Sequence, residues 1–414
     1  MRRLKAAILA AGRGERLWPL AEKNPKHLIP IGGEPLLQRT VKALVQAGIT
    51  DIVMVVQFEA EKIKGFFKDG RQLGCEISYV KQKMLGGTAD AVKTAESELR
   101  GEDRFLLVYG DNYYNQKALD KFVKSSDSKD LLMGVAEVKD PARFGSLEIK
   151  RGNIVAIHEK VASGKVGVVN AGIYVLENSI FAAVRKTRKS RRGEFELTDS
   201  LSLLMAEGRR IRTTPFAKGA WVGISYPWDL LEANRSALDS DEEVRDGETE
   251  VGVHLKGSVS LAKGSIVKSG SYIEGPVYVG EGAVVGPNAY LRPGTSLGRG
   301  VKVGAGCEVK NSIAMDEAKI PHLCYVGDSV LGHGVSLGAG TITANLKFND
   351  SNVESRVKRQ MVDSGQRKLG AIFGDGVKTG INVAIFPGVK IGADAWIGPG
   401  TIVKADIPSQ SRVK

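Results

Sequence analysis

The 414-residue chain contains only three cysteines, Cys75, Cys307 and Cys324. They form no metal-type pair and cannot all pair with one another. No apolar run approaches the length that spans a bilayer, so a membrane is not an expected partner. The start, Met1-Arg2-Arg3-Leu4-Lys5, leads directly into a strand-like run and lacks the apolar core and cleavage site of a signal peptide. Together these absences predict a cytoplasmic protein. Also missing is any nucleic-acid recognition motif with interleaved aromatics. The formal net charge of +12 is therefore read as a match to polyanionic small substrates, which need only a few well-placed Lys and Arg, and no nucleic-acid partner is expected. The densest basic run, Arg185 to Arg192, reads as a solvated surface loop. The length allows two or three domains with large cores.

What is abundant is a six-residue period. An aliphatic residue recurs at Leu255, Leu261, Val267, Ile273, Val279, Val285, Leu291, Leu297, Val303 and Val309, often followed by glycine. This step matches neither the 3.6 period of a helix nor a two-faced strand. It matches triangular coils whose sides are hexapeptides, with the aliphatic side chain pointing into a prism. The spacing resumes at Leu331, Leu337 and Thr343, and again at Phe373, Thr379, Ile385, Ile391, Ile397 and Val403. The phase is lost after Val309 and returns near Tyr325. Residues 346–370 are polar and basic and read as a loop projecting from the prism.

The first 230 residues alternate instead between strand-like and helix-like segments. Lys5–Ala10, Ile52–Gln57, Ile77–Val80 and Phe105–Tyr109 read as strands. Pro35–Ala47, Glu61–Phe67 and Ala89–Leu99 read as helices. That alternation predicts a parallel sheet covered on both faces, with ligands at the carboxyl ends of its strands. Pro227–Leu238 reads as a closing helix, and the acidic run that follows reads as a solvated linker.

The first strand is followed by Leu9-Ala-Ala-Gly-Arg-Gly-Glu-Arg-Leu-Trp-Pro-Leu20 and then Pro25-Lys26. Gly12 and Gly14 let the backbone turn sharply and present amide groups to phosphate, while Arg13, Arg16 and Lys26 add positive charge. The string resembles the signature of sugar-1-phosphate nucleotidylyltransferases. That resemblance implies nucleotide contacts at Leu9, Ala11, Gly12, Gly14, Gln82, Gly87 and Thr88, with Arg16 and Lys26 catalytic and Asp111 a magnesium ligand. It implies sugar contacts at Gly145, Glu159, Lys160 and Asn170; the segment Glu194–Asp199 also matches. The implied reaction is attack of a sugar-1-phosphate on the α-phosphorus of UTP or dTTP. One position departs from the pattern: the chain reads Trp221-Val-Gly-Ile-Ser-Tyr-Pro-Trp-Asp229, with Gly223 where the family carries a second metal-binding aspartate.

The coils carry further motifs: Tyr290–Gly294, Lys310, Pro321–Asp328 and Gly338–Asn345. These resemble the acetyltransferase half of the bifunctional enzymes that make UDP-N-acetylglucosamine, and the basic loop is more similar to archaeal members. The resemblance implies that Arg292 and Lys310 hold a sugar phosphate and His322 is the general base. Tyr325 and Asn345 would orient an amino sugar, and Ala339 would lie beside acetyl-CoA. A histidine is suited to the task, because an amine must lose a proton to attack a thioester. Ser336 departs from the bacterial pattern, which has asparagine there. Cys324 reads as a small side chain filling a coil.

The fold expected is an α/β Rossmann-like nucleotidyltransferase domain over residues 1–238, an acidic linker over 239–252 and a left-handed parallel β-helix of hexapeptide repeats over 253–414. A homotrimer through the coils is expected. The leading reading is a bifunctional enzyme that acetylates glucosamine-1-phosphate and then uridylylates the product. Two others stay open. One is a single-activity glucose-1-phosphate thymidylyltransferase or mannose-1-phosphate guanylyltransferase with structural coils, against which His322 and Asn345 stand. The other is a non-catalytic subunit like those of a translation-initiation exchange factor, which Gly223 allows and Arg16 and Lys26 oppose.

Overall fold

The computed structural model describes residues 4–84, 86–127, 130–159 and 166–414. The chain divides into two compact units. The first runs to Arg13 and resumes from Leu36 to Gly223; the second holds Gly14–Pro35 and Ile224–Lys414.

The first unit is built on a nine-stranded sheet. Its order begins Glu76–Lys81, Asp51–Val56, Lys5–Ala10, Arg104–Tyr109, and these four strands are parallel. Beyond them the expectation of a purely parallel sheet fails. Gly167–Glu177 runs antiparallel to Arg104–Tyr109, and Leu131–Val138, Ile211–Phe216, Asn153–Glu159 and Gly145–Lys150 complete a mixed half. Local alternation specifies a strand but not the direction of its partner, so the sequence pattern could not reveal this.

The helices are amphipathic in the expected sense. Leu36–Gln46 buries Leu36, Leu37, Thr40, Val41, Ala43 and Leu44 along one stripe. The expected helix Ala89–Leu99 forms as Thr88–Thr94 and Glu96–Leu99. Ala7, Val53 and Leu107 of the sheet share one core with Val92, Ile180 and Leu201 from helices, while Ala6 and Ile8 on the opposite face are equally buried. Parallel strands need this double cover.

The second unit is a parallel β-helix. Its sides are sheets of five, eight and seven short parallel strands, and the first side continues as three more strands near the end of the chain. The six-residue ladder lines the interior: Leu261, Val285, Leu297, Phe373 and Ile391 are all nearly inaccessible, and Leu255 at the open end packs against them. Each fully buried aliphatic side chain stabilises the fold by about 1.5–3 kcal/mol relative to exposure, so the uninterrupted ladder holds the prism together.

The loss of phase after Val309 has a simple cause. Leu291 pairs with Val309, eighteen residues on, whereas Val309 pairs with Val326, seventeen on. Ile313 likewise pairs with Val330, so two corners are each one residue short and the wall is unbroken. The basic excursion is an antiparallel hairpin of Glu354–Val357 and Gln360–Asp363, inserted between two wall strands. Asp239 belongs to the helix Asp229–Ser240, and Glu248–Thr249 already pairs with Ile266–Val267 as the opening coil. The acidic stretch therefore lies inside the second unit, between its helix and its opening coil.

Candidate active sites

In the first unit the strand order reverses between Lys5–Ala10 and Arg104–Tyr109, and open α/β sheets collect ligands outside the strand ends at such a point. Ala11 and Gly12 leave one of these strands, Gly110 and Asp111 the other. The Gly110 amide donates to the Leu9 carbonyl at 3.0 Å, which fixes the two exits side by side. The short strand Asn112–Tyr114 then pairs with Trp221–Gly223, placing Gly223 directly opposite Asn112. Gly223 thus sits beside Asp111 in the fold, but it has no room for a larger residue. A Cβ there would lie 2.6 Å from the Phe144 ring and 2.8 Å from Trp221.

Gln82 is nearly inaccessible, and its amide nitrogen donates to Asp90 at 2.7 Å and to the Gly87 carbonyl at 3.4 Å. Thr88 accepts from the Leu197 amide at 2.9 Å, so the Glu194–Asp199 segment is fastened to the Gly87–Thr88 turn. Asn170 donates to the Tyr174 hydroxyl at 2.5 Å and accepts from the Gly172 amide. Tyr174 donates in turn to Tyr109, the residue that closes the strand before Gly110–Asp111. Gly145 pairs with Glu159 at the far edge of the sheet. Lys160 lies outside the described residues.

The remainder of the signature belongs to the second unit. Gly14 adopts a left-handed conformation (φ 72°), and a Cβ there would meet Lys26 at 3.1 Å. Gly14 and Lys26 are therefore packed together. The Arg16 guanidinium rests over the Tyr226 ring at 5.6 Å. Asp229 begins its helix, and its carboxylate accepts from the amides of Ser225 and Tyr226 at 2.8 Å each. The stretch just after Gly223 thus forms a tight turn presenting Tyr226 to Arg16. Tyr226 escaped the sequence reading because nothing local marks an aromatic as an arginine platform.

On the coils three of the implied residues, Lys310, Tyr325 and Asn345, converge. Lys310 reaches the Asp328 carboxylate at 3.0 and 3.2 Å. Asn345 donates to the same carboxylate at 2.5 Å and to the Tyr325 hydroxyl at 3.1 Å. Asn311 supplies a third donor to Asp328 at 2.8 Å. These residues come from three stacked coils at one corner, and the Asp328 side chain is only 5% exposed. Burial pushes the Tyr325 phenol above the usual range, with Asn345 opposing the shift. One coil below, Arg292 pairs with Glu308 at 2.8 Å, and this hydrogen bond holds the guanidinium above its usual range, with burial opposing the shift. Asp328 was the residue missed. Its role as a hub depends on the shortened coils, which bring it between Lys310 and Asn345.

His322 lies at the preceding corner, exposed and three residues before Tyr325. Its carbonyl accepts from the Gly340 amide at 3.0 Å, which stacks the corner holding Ala339 on that of His322. Among the described residues no hydrogen bond joins its imidazole to the Asp328 cluster. Cys324 points into the prism, and its thiol donates to the His322 and Gly338 carbonyls. Ser336 bridges Lys319 and Lys378 on the first side of the prism, away from the wall that carries Tyr325.

Residues 5–240 match the nucleotidyl transferase family, and residues 273–385 match the GMPPB C-terminal domain. The chain is 42% identical over 411 residues to "Bifunctional protein GlmU" of Methanocaldococcus jannaschii, covering 99% of this chain and 97% of that one. It is 42% identical over 408 residues to the "Bifunctional sugar-1-phosphate nucleotidylyltransferase/acetyltransferase" of Sulfurisphaera tokodaii, covering 98% of each. A crystal structure of a putative glucose-1-phosphate thymidylyltransferase from Bacillus anthracis is 29% identical with a TM-score of 0.53, covering 58% of this chain and 97% of that one. The chain belongs to the archaeal GlmU-like family of bifunctional sugar-1-phosphate nucleotidylyltransferases/acetyltransferases.

Proposed function

We propose that this protein N-acetylates glucosamine-1-phosphate on its coils and then transfers the uridylyl group of UTP to the product, giving UDP-N-acetylglucosamine. The observation that carries the reading is the Lys310–Asp328–Asn345–Tyr325 cluster. A purely structural prism has no use for a nearly buried carboxylate with three side-chain donors. Lys310 and Arg292 supply positive charge for the sugar phosphate, while Tyr325 and Asn345 orient the sugar. His322 takes the proton that the amine loses as its nitrogen attacks the thioester carbonyl of acetyl-CoA. The C–N bond forms, the C–S bond breaks, and the coenzyme leaves as its thiol.

In the second reaction a phosphate oxygen of the acetylated sugar attacks the α-phosphorus of UTP, and pyrophosphate leaves. Arg16 and Lys26 stabilise the negative charge that accumulates. Leu9, Ala11, Gly12, Gly14, Gln82, Gly87 and Thr88 are assigned to the nucleotide, and Gly145, Glu159, Lys160 and Asn170 to the sugar. Magnesium usually binds through one or two carboxylates together with substrate phosphates. Asp111 alone fits that habit and would hold the ion, whose contribution is to neutralise phosphate charge.

The test is product analysis of purified protein given magnesium, UTP or dTTP and a panel of sugar-1-phosphates, with and without acetyl-CoA. UDP-N-acetylglucosamine from glucosamine-1-phosphate only when acetyl-CoA is present supports the reading. Equal use of glucose-1-phosphate and dTTP with no acetyl transfer would replace it with the single-activity thymidylyltransferase.

A further inference from the structure

The signature segment Gly14–Pro35 belongs by its packing to the β-helical unit. Its contacts are spread along its length and made by residues far away in sequence. Lys358 of the hairpin pairs with Glu15 at 2.8 Å. The Lys390 ammonium lies over the Trp18 ring at 5.2 Å and donates to the Arg356 carbonyl, which ties that ring to the hairpin. Glu22 accepts from Ser409 at 2.6 Å, Lys23 pairs with Asp394 at 2.5 Å, and Asn24 donates to Asp375 at 2.7 Å. The end of the segment is held by Asn234, which is fully buried. Its oxygen accepts from the Gly32 amide and the Ser296 hydroxyl, both at 2.7 Å, and its nitrogen donates to the Gly294 carbonyl at 2.9 Å.

We propose that the late coils and their hairpin act as a positioning clamp for nucleotidyl transfer, holding the Gly14–Pro35 segment so that Arg16 and Lys26 meet the phosphates in register. This rests on the assignment of Arg16 and Lys26 to nucleotidyl transfer. Exposed ion pairs are individually weak, so no one contact would hold the segment. Five contacts between Glu15 and Asn24, together with the buried Asn234, do so collectively. The coils therefore hold Arg16 and Lys26 for nucleotidyl transfer through residues that touch no substrate. Asp394, Ser409 and Lys358 are positioning residues in this sense.

The experiment uses the full chain with Asp394→Lys and Ser409→Asp, which set like charges against Lys23 and Glu22. Small misplacements of catalytic groups can lower rates by up to about a hundredfold. The double variant is expected to lose about tenfold in kcat for nucleotidyl transfer with a smaller change in KM. Amides within residues 14–35 should exchange hydrogen faster, while those of residues 255–309 exchange as before, showing that the prism is folded. Adding Glu22→Lys and Lys23→Glu swaps the charges and should restore both readouts. Unchanged exchange, or faster exchange at full kcat, overturns the clamp. Failure of the swap to recover the rate also overturns it, because the loss then has another cause. A wild-type protein inactive with every nucleotide and sugar phosphate would defeat the functional assignment instead, and the exchange data would still report on the contacts.

Discussion

Gly223 shows how a single residue reshapes an expectation. Its neighbour across the strand pair is Asn112, so the position is the one from which a carboxylate could join Asp111. The sequence alone made the missing aspartate visible. It did not reveal that the Phe144 and Trp221 rings occupy the space, because Phe144 arrives from a distant turn. Restoring the aspartate alone therefore collides with Phe144. We expect Gly223→Asp to fold poorly or to leave the magnesium dependence unchanged, and Gly223→Asp with Phe144→Ala to lower the magnesium concentration at half-maximal rate. A titration of rate against magnesium for the two variants and the wild type checks this. If Gly223→Asp alone lowers the requirement, the rings yield easily and the steric argument is wrong.

At the scale of elements, the hexapeptide ladder was legible because a six-residue period has few structural solutions. The buried strands of the first unit were legible as continuous apolar runs, such as Asp51–Val56. What stayed hidden depends on neighbours rather than on local pattern. Gly167–Glu177 gives no sign that it runs antiparallel to its partner, and the loss of phase after Val309 reads as a break although it marks two shortened corners. Those corners set Asp328 between Lys310 and Asn345, while His322 lies exposed at the corner before. The imidazole is not part of the interior ladder, so His322→Ala should leave folding intact. Loss of the base should reduce acetyl transfer by about 10²–10⁴ and spare nucleotidyl transfer. The two rates are measured on the same folded preparation. Near-normal acetylation would remove His322 from the mechanism and leave the Asp328 cluster without its base.

At the scale of the molecule, the division into two units was visible from the change of period, but its membership was not. No local feature of Gly14–Pro35 announces that it packs with coils more than two hundred residues away. The prism also raises the question of assembly, because its outer walls are not uniformly polar. On the wall that carries Tyr325, Ile342 pairs with Ala384 and Ala384 with Ile402, and the two isoleucines are 40% and 57% exposed. Phe386, which follows the Ala384–Ile385 strand, is likewise exposed. An exposed apolar row of this kind is suited to an interface, and parallel packing of three prisms about an axis would cover it while closing the assembly. Ile342→Glu with Ile402→Glu places unpaired charge in that contact. Light scattering should then change from a trimer in the wild type to a monomer, with acetyl transfer lost and nucleotidyl transfer kept. That pattern would mean that the coil site is completed by a neighbouring prism, as its open and exposed His322 suggests. A monomeric variant that acetylates at the full rate would instead show that one prism suffices, and the apolar wall would need another partner.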